Sequence, residues 1–337
     1  MGDHGYRTKK SKLIYRYLFL IIPMVQGFDM CDVFMLTPDQ ANDMNFIRRV
    51  LSADMDVQSI EPLFHKSYNS YSYQVNGNII IKFSRRYPEK MQREAQILNL
   101  LQGRISMPVP KIQIISCDGY VYSKHAMIMG QPPLQSDVDA MTPTVRARFC
   151  ADIARFAFEM HAATDFILNR VCIPQWERYS MRSMRPALIA DKIITDENFT
   201  DDERAFIERF CNDYTIANDD AVVRLGHFDM QPKNIAYNHV AGRIAGIFDF
   251  GDCAHGDIYH DFAQLALGYS PDILAQILDE YAHMGGHRVK LAKCYDYALH
   301  QELNAYCRGY DIGDADAVRI KMNNRIRASQ ILSYHNQ

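Results

Sequence analysis

The sequence lacks the features that most directly indicate a partner or a compartment. Its 37 basic and 40 acidic residues nearly cancel, so the formal net charge is only −3. No global field therefore attracts the chain to nucleic acid or to an anionic membrane. None of the eight cysteines belongs to a CxxC pair, and their spacings match no zinc framework. The cysteines are therefore expected to be free thiols in a reducing cytosol, which predicts a cytoplasmic protein. From the small net charge we expect no binding to nucleic acid.

A convincing membrane segment is also missing. The apolar stretch 13–25 is shorter than the roughly 20 residues of a transmembrane helix, and Arg16 interrupts it. A basic start precedes it, as in a signal peptide, but no small-x-small cleavage site follows. We interpret residues 1–34 as an N-terminal extension or a docked tail, or as sequence ahead of a later start at Met30 or Met35. We expect no membrane span.

What the sequence does contain is a change of pattern near residue 130. Residues 35–130 begin with a capping box at Thr37, which predicts a helix over 38–53. A meander of strands follows, with Asn76-Gly77 as a tight hairpin turn. Residues 131–337 are mainly helical, apart from short strands near 221–250. The order of elements predicts an α+β protein with a small antiparallel-sheet N-lobe and a larger helical C-lobe.

Polar residues with catalytic potential are concentrated between two of these short strands. The stretch GHFDMQPKN ends at Asn234, and DFGD begins fifteen residues later at Asp249. Asp229, beside a histidine in a loop, is a candidate general base. If the two strands after it pair through the turn HVAG, Asn234 and Asp249 fall at the same end of the hairpin. Their oxygens would then suit Mg²⁺, which takes few carboxylates together with phosphate oxygens and water.

A second polar site is predicted in the N-lobe. Lys82 interrupts the apolar strand IIIKFS, where an unpaired lysine costs free energy unless its ammonium reaches water. Glu94 follows twelve residues later, on a helix that could pack against the sheet. A Lys82–Glu94 ion pair would hold the ammonium in place for the phosphates of a nucleotide.

Taken in order and spacing, these residues resemble the protein-kinase-like fold, and more narrowly the aminoglycoside phosphotransferase and choline kinase group. That group has an H-x-D-x-x-x-x-N loop, an I-D-F-G-D type segment and a further aspartate. The matching elements here are His227, Asp229, Asn234, IFDFGD at 247–252, Asp261 and the helix end FEMHAAT at 158–164. The resemblance covers about 35–310 and implies a bilobal fold.

Two differences from protein kinases indicate which class of kinase this sequence resembles. Protein kinases carry a lysine two positions after the catalytic aspartate, whereas this chain has Gln231 there. They also have a long activation segment that ends in A-P-E and holds a polypeptide substrate. Here the sequence after DFGD enters a helix almost at once, and A-P-E is missing. The resemblance therefore implies a small-molecule acceptor.

The resemblance also implies individual roles. In the N-lobe, residues 35–130 would bind ATP or GTP. The residues expected to contact the nucleotide are Lys82, Glu94, Ser67, Ser70, Met127 and Met129, the two methionines through the backbone of the crossover to the C-lobe. In the C-lobe, Asp229 would be the base, and Asn234 and Asp249 would bind Mg²⁺. Supporting roles are implied for His227, Asp252 and Asp261; Asp252 would assist a second metal or the substrate, or cap a turn.

The function that follows is a Mg²⁺-dependent small-molecule kinase. It would transfer the γ-phosphoryl group of ATP or GTP to a hydroxyl of an aminoglycoside-like or amino-alcohol substrate. Where the acceptor is an antibiotic, its phosphorylation would cause antibiotic resistance. Candidate contacts for a cationic substrate are Asp137, Asp139, Glu177, Glu302 and Asp311, with Trp176, Tyr179, Tyr306 and Tyr310.

Two alternatives to a kinase remain open at this point. His227, His260-Asp261 and Asp311 are similar to the ligand pattern of HD-type metal phosphohydrolases, although that pattern leaves Lys82 and Glu94 unexplained. A nucleotide-binding protein of kinase fold without catalytic activity is the other alternative. The sequence does not distinguish ATP from GTP and does not specify the oligomeric state.

Overall fold

The computed structural model describes residues 34–63, 70–175, 186–213, 221–308 and 314–334. The N-terminal segment before residue 34 lies outside these ranges. So do several predicted contacts, namely Ser67, Trp176, Glu177, Tyr179, Tyr310 and Asp311.

The described helices are α1 (Pro38–Asn42), α2 (Met44–Leu51), α3 (Pro88–Leu101), α4 (Gln135–Asp139), α5 (Pro143–Ala162), α6 (Thr164–Leu168), α7 (Pro186–Ile193), α8 (Asp201–Asp213), α9 (Ile258–Gly268), α10 (Pro271–His283), α11 (Leu291–Cys307) and α12 (Ala315–Tyr334). The described strands are β1 (Ile60–Leu63), β2 (Ser70–Val75), β3 (Ile79–Ser84), β4 (Gln113–Cys117), β5 (Tyr120–Ala126), β6 (Val223–Gly226), β7 (Ile235–Asn238), β8 (Arg243–Ile247) and β9 (Ala254–Asp257). Single 3₁₀ turns span Pro232–Asn234 and Phe250–Asp252.

The N-lobe is built on one antiparallel sheet with the strand order β1-β2-β3-β5-β4. Its β2–β3 hairpin turns at Asn76 and Gly77, whose φ angles of 52° and 72° are the positive values that a type I′ turn requires. The sheet and α2 share a core that includes Ile47, Tyr73 and Tyr122. This arrangement matches the predicted small antiparallel sheet.

The first predicted helix is divided in two. The capping box at Thr37 is present, with Gln40 as its reciprocal partner. However, Asp43 has an extended backbone, with φ −86° and ψ 97°, and ends α1. Its carboxylate accepts hydrogen bonds from the N–H groups of Asn45 and Phe46, and so caps α2. A single helix over 38–53 is therefore wrong, because Asp43 satisfies the second helix's first amides instead of continuing the first.

The C-lobe packs helices around α5, a helix of 20 residues. Ile153, Phe156 and Met160 of α5 are fully buried and belong to the main hydrophobic cluster. That cluster also takes in Leu98 and Leu101 of α3, so the apolar face of this N-lobe helix packs with the C-lobe. Two antiparallel strand pairs, β6–β9 and β7–β8, lie on this core and carry the polar loops.

The two lobes meet at a short crossover, residues 127–130. Gln131 exchanges two backbone hydrogen bonds with Tyr237 of β7, each 2.9 Å long. Gly130 allows this approach, because a Cβ there would lie 2.8 Å from the backbone carbon of Ala236. The β7–β8 hairpin is thereby fixed against the crossover. Within the described ranges, no helix combines the length and apolarity needed to cross a bilayer.

Candidate active site

The loop after β6 places Asp229 by means of a strained backbone. Phe228 has φ 58°, a left-handed value that is uncommon for a bulky residue. Asp261 of α9 holds this conformation, since its carboxylate accepts from the N–H groups of His227 at 3.1 Å and Phe228 at 2.5 Å. Gly226 makes room, because a Cβ there would lie 2.5 Å from Asp261 Oδ2. We call residues 226–234 the catalytic loop.

Asp261 is almost fully buried, so its charge needs compensation. Burial alone would raise the pKa of Asp261, but hydrogen bonds from His161 and from the Phe228 amide hold this pKa below its usual range. His161 lies on α5, with Nε2 3.2 Å from Asp261 Oδ2 and Nδ1 2.8 Å from the hydroxyl of Tyr281. The supporting role implied for Asp261 thus has a specific geometry, an anchor for the catalytic-loop backbone.

His227 is completely buried beneath the same loop. Its Nδ1 accepts from the Asp229 N–H at 3.2 Å, and its Nε2 lies 3.0 Å from the carbonyl oxygen of Phe248. The second bond connects the catalytic loop with the residue just before Asp249. His227 therefore joins the two loops rather than facing the solvent.

The Asp229 carboxylate is oriented by three side chains of its own loop. Gln231 Nε2 donates to Oδ1 at 2.9 Å, and Asn234 Nδ2 donates to Oδ2 at 2.9 Å. Lys233 Nζ lies 3.2 Å from Oδ2. Burial raises the pKa of Asp229, while Lys233 and His227 oppose that rise. The carboxylate is 18% exposed, so it is accessible to a substrate hydroxyl.

Asn234 and Asp249 lie at the same end of the β7–β8 hairpin, on either side of its last strand pairing. β7 and β8 are antiparallel, with Ile235 opposite Ile247, and Phe248 N–H donates to the Asn234 carbonyl at 3.1 Å. Asp249 has a left-handed φ of 66°, a conformation that aspartate tolerates better than most residues. We call residues 249–252 the metal loop.

The partner of Lys82 is Asp249 and not Glu94. Lys82 Nζ lies 2.9 Å from Asp249 Oδ1, an ion pair that crosses between the lobes. Glu94 Oε1 instead accepts from the N–H of Phe250 at 3.0 Å. The predicted Lys82–Glu94 ion pair is thus not a direct contact: each side chain bonds to the metal loop, and Glu94 acts on the Lys82 charge from a greater distance.

Lys82, Asp249 and Glu94 shift one another's pKa values. Burial would lower the pKa of Lys82, but Asp249 and Glu94 raise it above its ordinary value, so the ammonium stays charged. Lys82 in turn holds the pKa of Asp249 below its usual range, against the effect of burial. Burial raises the pKa of Glu94, and Lys82 opposes this rise. The cleft therefore keeps the Lys82 ammonium and the Asp249 carboxylate charged and side by side.

One cleft is lined by six of the twelve predicted site residues, and Asn234 is not part of its wall. Its walls are formed by Ser70, Lys82, Ser84, Tyr87, Lys90, Met91, Glu94, Asp229, Asp249, Gly251 and Asp252. Asp252 lies 3.5 Å from Lys90 of α3, which sequence reasoning had not singled out. Met127 and Met129 are not part of this wall. The Met127 N–H donates to the Asn78 carbonyl at 2.7 Å, and Met129 has a 65% exposed side chain on the crossover.

The donor atoms fit a magnesium ion bound through two protein side chains. Both side-chain hydrogen bonds of Asn234 use Nδ2, which leaves its Oδ1 for a cation, and Asp249 has Oδ2 beyond the atom that contacts Lys82. Among the described residues, no three His, Cys, Asp or Glu side chains are grouped to hold a metal. Such a sparse oxygen set suits Mg²⁺, which completes its shell with phosphate oxygens and water.

The sequence matches the phosphotransferase enzyme family (APH) over residues 63–302. The chain belongs to this family. The match spans more than half of the chain and confirms the predicted enzyme class, a phosphotransferase that acts on a hydroxyl group. No curated protein matches the sequence significantly.

Solved structures agree with this assignment at the level of the fold. The GDP complex of wild-type aminoglycoside 2'-phosphotransferase-IIIa has a TM-score of 0.65 and 18% identity, with 85% of this chain and 98% of that chain covered. ADP-bound APH(2'')-Ib has a TM-score of 0.56 and 16% identity over 85% and 97% of the two chains. Apo macrolide 2'-phosphotransferase MphH from Brachybacterium faecium has a TM-score of 0.55 and 15% identity over 82% and 96%. The protein-kinase-like fold is confirmed.

Several predicted substrate contacts of this phosphotransferase have other partners. Asp137 accepts from the Leu134 N–H, and Asp139 accepts from the Gln135 side chain. Tyr306 donates to Asp196 at 2.6 Å. These carboxylates and this ring therefore have local structural contacts.

Conversely, sequence reasoning missed His161 as the partner of Asp261. The only signal for His161 in the sequence was its place in the helix end FEMHAAT.

Proposed function

We propose that this phosphotransferase is a Mg²⁺-dependent small-molecule kinase that acts in the cytoplasm. It transfers the γ-phosphoryl group of ATP or GTP to a hydroxyl of an aminoglycoside-like or amino-alcohol substrate. The observation that carries this proposal is a single cleft in which the Asp229 and Asp249 carboxylates face the Lys82 ammonium. The seven described cysteines are all free thiols, which supports a reducing compartment.

Asp229 is the base of the reaction. The substrate hydroxyl approaches its exposed carboxylate and gives up its proton to it, while the hydroxyl oxygen bonds to the γ-phosphorus. The bond between that phosphorus and the β–γ bridging oxygen breaks, and the nucleoside diphosphate leaves with the electron pair. The Gln231 and Asn234 amides keep the carboxylate oriented throughout. Positioning of this kind is the main contribution of a protein to phosphoryl transfer.

The negative charge of the transferred group is balanced from both lobes. Lys82 contacts the nucleotide phosphates with an ammonium that the neighbouring carboxylates keep protonated. Mg²⁺ held by Asn234 and Asp249 would neutralise phosphate charge and bring the reacting groups into line. Glu94 fixes the metal loop through the Phe250 amide, and Ser70 lies at the wall near the phosphates.

The nucleotide and acceptor classes are supported by the similar structures. Two of them are complexes with GDP or ADP, and another is described as a streptomycin–ATP complex of APH(2'')-IIa. Kanamycin and gentamicin complexes are also among the similar aminoglycoside phosphotransferases. Of the carboxylates predicted to meet a cationic acceptor, Asp252 lines the cleft beside Lys90. Resistance to an aminoglycoside would then follow from its phosphorylation.

The test is a nucleotide-consumption screen of the full chain. ATP and GTP are each offered with Mg²⁺ and a panel of aminoglycosides, macrolides and amino alcohols, with Asp229→Ala as the matched inactive variant. We expect consumption with one acceptor class, abolished by EDTA and by the variant. Nucleotide binding without consumption on any acceptor would instead support the non-catalytic alternative. A tightly bound transition metal in the purified protein would favour the hydrolase. Loss of drug susceptibility in a sensitive bacterium is a companion measurement.

A further inference from the structure

The side chain that holds Asp229 is itself held by a series of carboxamides. Gln231 Nε2 donates both to Asp229 Oδ1 and to Gln264 Oε1, each at 2.9 Å. Gln264 lies on α9 and is 4% exposed. Its Nε2 donates to Oε1 of Gln301 on α11 at 3.0 Å. A hydrogen-bonded chain thus runs from the catalytic loop across two helices.

A histidine completes this chain. His260 Nε2 lies 3.3 Å from Gln264 Nε2 and 3.5 Å from Gln301 Nε2, so it accepts from amide donors. An imidazole that accepts must be neutral, and burial lowers the pKa of His260 to about 4. The ring also packs against Phe228, with centroids 5.5 Å apart. The chain therefore returns to the residue that precedes Asp229.

The direction of these hydrogen bonds is fixed by the Gln231 amide. Both N–H bonds of the Gln231 amide are used, one on Asp229 and one on Gln264. If Gln264 no longer accepts, the Gln231 amide can rotate, and its bond to Asp229 is no longer fixed. The hydrogen-bonded side chains of this series carry no net charge. They therefore orient the Asp229 carboxylate without adding a charge that would further shift the pKa of Asp229.

We propose that Gln231, Gln264, Gln301 and His260 form a neutral hydrogen-bond relay that orients the Asp229 carboxylate, with Gln264 as a positioning residue. This inference rests on the proposed role of Asp229 as the base. Gln264 touches neither substrate nor reacting atoms; it acts only through Gln231. In protein kinases, the position of Gln231 is occupied by lysine; here a relay of amides is built on a glutamine.

The test is a double-mutant cycle between two relay members. Gln264→Leu should lower kcat about tenfold, the effect of one lost hydrogen bond, with KM for the nucleotide unchanged. In a Gln231→Leu background the same change should have no further effect, because the path to Asp229 is already cut. Gln276→Leu is the matched control, a half-buried glutamine on α10 outside the relay. It should leave kcat unchanged.

The pH profile gives a readout that a merely structural role would not move. Loss of a hydrogen bond donated to the carboxylate raises its pKa, so the acid limb of kcat/KM should move to higher pH in Gln264→Leu. The ionisable neighbours of Asp229, namely Lys233, His227 and Asp249, are the same in both proteins. An equal fold-loss in both backgrounds, or unchanged kcat and acid limb in a folded Gln264→Leu protein, overturns the relay.

A second measurement separates this inference from the proposed function. The Asp229 Cγ resonance, labelled with ¹³C and assigned through Asp229→Asn, is titrated in the wild-type and Gln264→Leu proteins. A higher pKa in the variant supports the relay even when no acceptor is phosphorylated. Identical titrations overturn it. If Gln264→Leu fails to fold, Gln301→Leu, at a half-buried position one step further along, provides the same comparison with a smaller shift.

Discussion

The catalytic loop and the metal loop are held in different ways. The catalytic loop is anchored inside its own lobe, where Asp261 and His161 bind its backbone beneath a buried surface. The metal loop is held from the N-lobe, by Lys82 on β3 and by Glu94 on α3. Asp229, the proposed base, is therefore held by the C-lobe core, whereas Asp249, the proposed metal ligand, depends on groups supplied from across the cleft.

The catalytic loop is therefore preorganised within one lobe, whereas the position of the metal loop is coupled to the arrangement of the two lobes. A loop fixed by buried hydrogen bonds keeps its shape when the cleft opens. A loop fixed by ion pairs between lobes responds to how the lobes are arranged and to salt. The α3 helix moderates this dependence, because Leu98 and Leu101 bury its apolar face in the C-lobe core. Lys82, on the sheet with its separate core, is the contact that most directly couples the sheet to the metal loop.

The largest expected effect comes from removing the base of the catalytic loop. Asp229→Asn keeps the shape of the side chain but cannot take a proton, so kcat should fall about 10²- to 10⁴-fold. Steady-state phosphorylation of the acceptor from the screen measures this loss, with thermal unfolding as the check on folding. Turnover close to that of the wild type would remove Asp229 from the mechanism.

Breaking the buried anchor should affect both stability and turnover. Asp261→Asn removes a charge paired with His161 and turns one carboxylate oxygen into a donor that faces backbone N–H groups. We expect a loss of about 3 kcal/mol in the free energy of unfolding, measured by urea denaturation. Asp272→Asn, which changes an exposed carboxylate on α10, is the control. Equal stability of the two variants would contradict the anchor.

The same anchor predicts a pH dependence of stability. The pKa of Asp261 is lower in the folded protein than in the unfolded chain. Its contribution is therefore fully present above the ordinary aspartate pKa, near 3.8, and is lost as the pH falls through the lower folded value. Denaturation from pH 6 to pH 2.5 should show a steeper decline in stability for the wild type than for Asp261→Asn, since other carboxylates with lowered pKa values act in both proteins. Parallel curves would argue against the lowered pKa.

A moderate effect is expected for the cation beside the base. Lys233 lowers the pKa of Asp229, so Lys233→Met should raise that pKa and move the acid limb of kcat/KM to higher pH. Because the Lys233 side chain is 59% exposed, screening should keep the shift below about one pH unit. The pH–rate profile at low salt measures it. A shift to lower pH would contradict the assignment of Asp229 as the titrating base.

The smallest effect is expected at the outer contact of the metal loop. Lys90→Met removes a partner 3.5 Å from Asp252, with both side chains partly exposed. Such a pair contributes about 0.2–1 kcal/mol and is screened by salt. We expect KM for the nucleotide to rise less than about fivefold, with the difference from wild type shrinking at high ionic strength. A salt-independent difference would mean that Lys90 contacts the nucleotide itself.

Part of the site could be predicted because its members are close along the chain. Asp229, Asn234 and Asp249 lie within one loop and one hairpin: Asn234 donates to the Asp229 carboxylate, and strand pairing places Asn234 and Asp249 at the same end of the hairpin. The tight turn at Asn76-Gly77 was equally local, since only positive φ values close it. By contrast, the break at Asp43 was missed because a helix-compatible pattern continues across it. At that position the capping hydrogen bonds of Asp43, and not the hydrophobic periodicity, determine the backbone conformation.

The sequence by itself determined the family, the two-lobed pattern and the spacing of the residues proposed to handle the phosphoryl group, because these depend on local turns and hairpins. Tertiary structure alone decided that Lys82 contacts Asp249 and not Glu94. It also decided that His161 balances Asp261, and that Gln264 supports the residue beside the base. Each of these contacts joins residues about 30 to 170 positions apart. They form only when packed helices and lobes bring the partners within hydrogen-bond distance, and no local pattern in the chain specifies that.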